Sequence, residues 1–409
     1  METVSNLENE KRSLTVPMKK QIITIMFSVF IVFVGFGIVI PVMPEIISGS
    51  GASNLHLGFL LSLFSIVSFF LSPIWGALSD KHGRRPVMIS GLIGYTISFV
   101  LFALSQGDLL LMYLSRIIGG LFSGAVMSCA VAYVSDISTE EQRTKMMGFV
   151  GMSIGLGFIF GPAIGGIVSS IDLFLPFWIS ALLTFLVMLG VIFVLPESNP
   201  PEKRKPVVKT SRWAAFSSDF TGAQKNLYIL SFLTTALLAS LEATFQFFAM
   251  QHLQATPYEI GVMFAVCGLA GALVQGGYIR RVKKGMEPAT IRIGFLVTAL
   301  GFALLLIPVN IVAMTIFLSI FGIGNALVRP CVTSLITQHT SLGRGAASGL
   351  NSSMDSLGRI LGPLVGSFAF YYHSSLPFVL GAVVSVCALF FLAGFIRLRG
   401  KQREREALS

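Results

Sequence analysis

Twelve long apolar runs recur along this chain, and nearly all of its charged residues lie between them. The runs fall near 21–44, 55–78, 87–105, 109–134, 146–170 and 174–195. A second set follows near 225–250, 257–279, 289–308, 310–336, 346–372 and 374–397. A hydrocarbon core of ~30 Å is crossed by about 20 apolar residues in a helix, because only helices and closed barrels satisfy every backbone group in lipid. A soluble fold is excluded on surface grounds: 54% of the 409 residues are hydrophobic and 12% charged, against roughly 25% charged in an average soluble protein. The expectation is an all-α polytopic membrane protein of twelve transmembrane helices.

The first run follows a polar stretch, 1–20, and reaches Pro44. That is longer than the ~7–15 residues of a signal-peptide core, so it reads as a retained helix. Cys129, Cys267, Cys331 and Cys387 all fall inside apolar runs without a CxxC pair. They read as reduced small hydrophobes, with no metal or cofactor site implied.

Charge distribution gives orientation. Of 29 Lys and Arg, 26 fall on one side of the alternating topology, the six opposite loops carry none, and Arg116, Arg329 and Arg359 lie inside spans. The positive-inside rule then places both termini in the cytoplasm. The net charge of +10 is loop charge of this kind and does not point to nucleic acid.

The chain also repeats itself. Gly148, Gly157, Gly161, Pro162 and Gly165 recur 201 residues later as Gly349, Gly358, Gly362, Pro363 and Gly366, and Gly76 pairs with Gly277. Two six-helix bundles are therefore expected, 21–195 and 225–397, joined by a proline-rich, charged linker, 196–224, with a tail at 398–409.

The turn after the second run reads GALSDKHGRRP. Gly76, Asp80, Gly83, Arg84 and Arg85 resemble the loop motif of the major facilitator superfamily. Three more stretches strengthen the resemblance: GFGIVIPVMP at the end of the first run (Gly37, Pro41, Pro44), LSRIIGG around Arg116 and Gly120, and the fifth run. The last carries Gly148, Gly157, Gly161, Pro162, Gly165 and Gly166, the motif associated with drug/proton antiporters. The chain looks most similar to the twelve-span multidrug efflux pumps of Gram-positive bacteria. That resemblance implies a bacterial cytoplasmic membrane, protons and lipophilic small molecules as partners, and a chain that works as a monomer. It also implies that Asp80, with Arg84 and Asp136 nearby, holds the cytoplasmic side closed against the start of the eleventh span near Gly345. The second copy of the loop departs from the pattern, with Arg281 in place of Asp80.

Ionisable groups inside spans are costly and mark function. Glu242 sits among Leu241, Ala243 and Phe245 to Phe248 with no basic residue close in sequence. Burial disfavours the charged form of a carboxyl, which suits a proton carrier. Arg116, with no local acid, is the second proton-coupling candidate, on the family's pattern. Asp355 is the third, although Arg359 lies four residues on, where the two would neutralise each other on one helix face. Arg329 is placed to snorkel towards the membrane surface. Gly157, Gly161 and Gly165 form one bare helix stripe, open to two readings: plain packing, or a bendable contact between the halves at Pro162. Of 35 Phe, most are expected to face lipid. Phe245, Phe248, Phe317 and Phe321 are the candidates to line a substrate cavity beside Glu242.

No GxxxxGK[ST] phosphate loop occurs, so ATP is not the direct energy source and the chain reads as a secondary transporter, not an enzyme. The reading that results is a proton-coupled exporter of lipophilic drugs working by alternating access. Its alternative is an exporter of one defined metabolite, such as a sugar, polyamine or lipid, on the same fold. A membrane receptor or enzyme is disfavoured by the absence of a long soluble segment and by five scattered histidines.

Overall fold

A computed structural model describes residues 18–138, 140–201, 220, 222–283, 285–340 and 344–408, with side-chain surroundings left out at 140–145, 148, 280, 344–346 and 401–408. Most of the linker therefore lies outside the described residues. Twelve α-helices make up the described chain, with one short 3-10 turn at Ile279–Arg281 and no strand among the described residues. They are α1 (Met18–Gly49), α2 (Leu55–His82), α3 (Arg84–Leu104), α4 (Leu109–Ile137), α5 (Glu140–Ser169) and α6 (Leu175–Val194). The second half holds α7 (Gly222–Leu253), α8 (Pro257–Gly277), α9 (Glu287–Leu305), α10 (Ile311–His339), α11 (Arg344–Tyr372) and α12 (Leu376–Leu408). The helix of the last span runs on through the expected tail as far as Leu408.

Eleven of these helices are long and apolar enough to cross a membrane. α11 has the length, 29 residues, but carries a polar face that includes Asn351, Ser352, Asp355, Ser356 and Arg359. A helix of this kind needs polar or aqueous surroundings along one side, and α11 finds them between the halves.

Local sequence fixes the helix starts at the base-poor end. Asp108 accepts from the amides of Leu110 and Leu111, Asp172 from those of Phe174 and Leu175, and Thr256 forms a capping box with Glu259. The acids of that end thus satisfy helix N-termini.

Each half packs the same way. α1 rests on α5 as α7 rests on α11, and α3 on α4 as α9 on α10. Likewise α2 packs on α4 as α8 packs on α10. The glycine stripes explain the tightest of these contacts. A Cβ on Gly161 would lie 2.7 Å from Gly37 Cα and from Val34 O, and one on Gly165 would lie 2.5 Å from Ile38 O. In the second half a Cβ on Gly362 would lie 2.5 Å from Ala236 O, and one on Gly366 2.5 Å from Ser240 Oγ. Close backbone approach of this kind is the main source of helix association in lipid.

The stripe at Gly157, Gly161 and Gly165 therefore binds α5 to α1 of its own half. The three glycines do not bridge the halves; that contact is made beside them by Pro162, whose carbonyl would lie 2.6 Å from a Cβ on Gly261 of α8, and by Gly166. A Cβ there would lie 2.6 Å from Pro257 O and 2.9 Å from Gly261 Cα on α8. Gly148 lies among the positions whose surroundings are left out.

The halves meet through two symmetry-related helix pairs, α5 with α8 and α2 with α11. The contacts cluster toward the base-poor end. Ser62 Oγ donates to Ile360 O at 2.8 Å, Phe59 stacks edge-on to Phe368 at 5.9 Å, and a Cβ on Gly58 would lie 2.7 Å from Pro363 O. Toward the basic end the same four helices separate. A Cβ on Gly76, Gly151, Gly155, Gly276, Gly277 or Gly349 would meet nothing within 4 Å. The molecule is a wedge, closed at the base-poor end, with its cleft opening where the basic loops lie.

Candidate functional site in the cleft between the halves

The turn between α2 and α3 is built around one backbone requirement. Gly83 has φ 105°, a conformation glycine adopts freely and other residues rarely. A Cβ there would also lie 2.6 Å from Glu197 Oε2. Glu197, just beyond α6, accepts from the backbone amides of Arg84 at 2.7 Å and Arg85 at 3.0 Å, so its carboxylate caps α3. This residue was not singled out from the sequence, because nothing local signals a cap that lies 113 residues away.

Asp80, Arg84 and Asp136 come together as expected. Arg84 bridges Asp80 at 2.5 Å and Asp136 at 3.2 Å, and also donates to Ser79 Oγ at 2.7 Å. Asn199 donates to Asp80 O, Ser198 donates to Asp136, and Arg85 reaches Ile192 O. The described hydrogen bond and ring contact between α2 and α11 lie toward the opposite end, away from Asp80. Gly76 lies at this open end, one helical turn before Asp80. In the second half, Arg281 is exposed and Glu287 instead binds Gln338 at 3.0 Å.

Within the cleft, Asp355 does not pair with Arg359. Its Oδ1 accepts from Ser231 at 3.0 Å and Thr235 at 2.9 Å on α7, and its Oδ2 faces Arg329 at 3.5 Å on α10. The expected i,i+4 pair is replaced because Asp355 is held by two neighbouring helices of its own half. Arg329, expected to snorkel, supplies the opposing charge. Arg359 instead crosses to the first half, with its guanidinium 5.8 Å from the Phe36 ring centroid and 5.3 Å from that of Phe158.

Glu242 on α7 is 8% exposed. Its carboxyl has no hydrogen-bond or ion-pair partner among the described residues, while Arg359 and Arg329 lie within electrostatic reach. Arg116 on α4 is buried against the Phe102 ring at 4.9 Å, near Tyr95, with its Nε unpaired. It stays inside the first half and does not join Glu242.

The aromatic candidates need correction. Phe245, Phe248 and Phe321 are at most 1% exposed and pack on Phe264, Phe378 and Phe302 within their own half. Residues buried so completely offer a ligand no surface. Phe317 is half-buried against the same core. The aromatic surface near the charged groups comes instead from the first half. Phe36, Phe64 and Phe158 are half-buried, and Phe36 contacts both others at 5.6 and 5.7 Å.

A wedge of two repeated halves, with an amphipathic helix lining its cleft, is matched by known proteins. The family model of the Major Facilitator Superfamily matches residues 25–343. The chain belongs to the major facilitator superfamily. It is therefore a multi-pass membrane protein of a family of transporters. Among its superfamily relatives are the quinolone resistance protein NorA of Staphylococcus aureus and multidrug resistance protein 2 of Bacillus subtilis. NorA is 28% identical over 95% of this chain and 100% of NorA. Multidrug resistance protein 2 is 28% identical over 90% of this chain and 93% of its own length. Among solved structures of the superfamily's fold, the human organic anion transporter MFSD10 aligns with a TM-score of 0.71 at 26% identity. That alignment covers 92% of this chain and 99% of MFSD10.

Proposed function

We propose that the protein exports amphipathic small molecules across the cytoplasmic membrane in exchange for protons, by alternating access. The observation that carries this reading is Glu242, a carboxyl in a membrane-embedded helix with no bonded partner, beside a cleft that opens toward the basic loops. The names of the two bacterial relatives, quinolone resistance and multidrug resistance, support export of drug-like compounds, and the charge asymmetry supports a cytoplasmic position for the cleft mouth and both termini.

In this reading Glu242 holds a proton or faces the substrate, but not both. Substrate enters from the cytoplasm as Glu242 gives up its proton there. The halves rock about α2–α11 and α5–α8, and a proton from outside displaces the substrate. One charge moving through 100 mV supplies about 2.3 kcal/mol, and each pH unit adds ~1.4 kcal/mol. Together these support more than a hundredfold concentration of substrate outside.

The same helices close the cytoplasmic end after the rock. Gly58 lies 22 residues before Asp80 on α2, and Ser367 lies 22 residues after Gly345 on α11. Gly58 and Ser367 are in contact in the closed end, with a Gly58 Cβ 2.5 Å from Ser367 Oγ. Because the helices run antiparallel, the register that joins those two brings Asp80 to the N-terminus of α11 when the other end closes. A carboxylate there gains roughly 0.3–2 kcal/mol from the helix end.

Proteoliposomes with an imposed pH gradient test the proposal. Wild-type protein is expected to drive uptake of a lipophilic dye into inside-out vesicles only while the gradient lasts. Glu242→Gln should fold and reconstitute but not respond to the gradient. Gradient-driven transport by Glu242→Gln at the wild-type rate would remove Glu242 from the mechanism.

A further inference from the structure

Two charged groups beside the cleft lack an opposite charge within 4.0 Å among the described residues: Glu242 of α7 and Arg359 of α11. They are close enough to interact electrostatically yet do not form an ion pair. The nearby acid, Asp355, lies within electrostatic reach of Arg359 but bonds Ser231, Thr235 and Arg329 and forms no ion pair with it. A guanidinium has five donors that suit a carboxylate's two oxygens. Here the guanidinium lies 5.8 and 5.3 Å from the ring centroids of Phe36 and Phe158 of the opposite half, and it makes no hydrogen bond among the described residues.

Arg359 also sits at the apex of the wedge. The next residue, Ile360, takes the interhalf bond from Ser62, whereas Gly349, ten positions earlier, faces open space. A molecule entering the cleft therefore meets Arg359 where the halves begin to touch.

We infer that Arg359 is the carboxylate-recognising residue of the cleft, and that with Glu242 it selects zwitterionic aromatic amphiphiles: an anionic group on Arg359, a cationic group at Glu242, and a flat body against Phe36 and Phe158. The inference rests on the export reading for the role of Glu242. It extends that reading by naming the charge pattern of the substrate. A pure anion satisfies Arg359 but meets the charge of ionised Glu242, and a pure cation leaves Arg359 unpaired and repelled. A zwitterion answers both and still competes with the proton at Glu242, as exchange requires.

Three dyes sharing one xanthene body separate these cases: fluorescein as the anion, the free rhodamine carboxylic acid as the zwitterion, and its methyl ester as the cation. Binding to the purified full chain is read by fluorescence polarisation. Wild-type protein is expected to hold the zwitterion about tenfold more tightly than the ester, the scale of one charge-assisted hydrogen-bonded contact. In Arg359→Gln that ratio falls to about one. In Arg359→Lys, which keeps the charge, a reduced preference remains, and it serves as the readout if the glutamine variant does not fold. Glu242→Gln lowers the advantage of the zwitterion over fluorescein. The inference is overturned if wild-type protein binds the ester as tightly as the acid, if it binds no dye, or if Arg359→Gln weakens all three equally. Transport in proteoliposomes is scored separately: the binding pattern without proton-driven movement would overturn the export reading alone, and movement without the pattern would overturn this inference alone.

Discussion

Gly166 and Gly161 lie five residues apart on one helix, and a methyl group added at each should have opposite kinds of effect. At Gly166 the added Cβ meets α8 of the other half: Pro257 O at 2.6 Å, Gly261 Cα at 2.9 Å and Tyr258 Cα at 3.2 Å. All three are backbone atoms, which cannot swing aside, and the reciprocal Cβ on Gly261 would meet Pro162 O at 2.6 Å. Overpacking of this sort costs roughly 1–3 kcal/mol, charged only to the arrangement in which the base-poor end is closed. Gly166→Ala should therefore move the two-state equilibrium about 5- to 150-fold toward the arrangement open at that end. Gly161→Ala meets Gly37 Cα and Val34 O at 2.7 Å, inside its own half. Because α1 and α5 travel together, both arrangements bear that cost. It should lower the thermal unfolding temperature and leave the populations alone. Pairs of spin labels on loops at each end, read by pulsed distance measurement, report the populations directly. Equal populations in Gly166→Ala and wild type, with the variant folded, would refute the claim that this contact is broken during the cycle.

Other outcomes follow from single contacts. Glu197→Ala removes the acceptor of two α3 amides, and a lost cap costs about 0.5–2 kcal/mol. Heat or denaturant scans should show that loss, and a small gain would contradict the capping role. Gly83→Ala forces a side chain into both a left-handed backbone and the Glu197 carboxylate, so it should destabilise more than Gly76→Ala, whose Cβ meets nothing within 4 Å. Asp80→Asn should shift the populations read by spin-label distances a few-fold toward the cleft-open arrangement, and unchanged populations would remove the helix-end contact. Asp355→Asn should disturb α7 and α10 more than Arg359→Gln does, since it is Asp355 that bonds Ser231, Thr235 and Arg329; melting curves of the two variants decide it.

What the sequence disclosed and what it hid divide along one physical line. Helices, their number and the repeat rest on local composition, so apolar runs and a fixed 201-residue offset exposed them. The cluster of Asp80, Arg84 and Asp136 was legible because a motif ties two of its members within one turn. Charge pairing in the cleft was not. Asp355 and Arg359 share a helix face, and sequence spacing alone favours joining them, but Ser231 and Thr235 arrive from 124 and 120 residues away to claim the acid. The Phe candidates failed for a related reason. Proximity to Glu242 in sequence chose Phe245 and Phe248, whereas a helix turns neighbours of a cleft residue back into its own bundle. The aromatic face that meets Arg359 comes from α1 and α5, which no spacing on α7 or α11 could reveal.

The repeat also bears on how the two ends of the molecule differ. The interhalf pairs α2–α11 and α5–α8 are equivalent under duplication, so in the proposed rocking cycle the scaffold alone favours neither arrangement. Preference has to come from what duplication did not preserve. At the base-poor end, closure rests on uncharged contacts, the close approaches at Gly58, Gly166 and Gly261, the Ser62–Ile360 hydrogen bond and the Phe59–Phe368 pair, none of which responds to protonation. At the basic end the first half offers Asp80, whereas the equivalent position of the second half is Arg281, so in the proposed cycle a carboxylate is available to only one of the two helix ends there. On that proposal closure of the basic end is the weaker, which fits a cleft that stands open there. A charge change deep in the cleft is then enough to decide the balance, since a few kcal/mol spans the whole range from mostly open to mostly closed. In the proposed exchange Glu242 supplies it: gaining and losing a proton there changes the net charge at the apex by one unit each time. In the proposed cycle the asymmetry between the copies, and not the symmetry of the fold, sets the direction in which the wedge works.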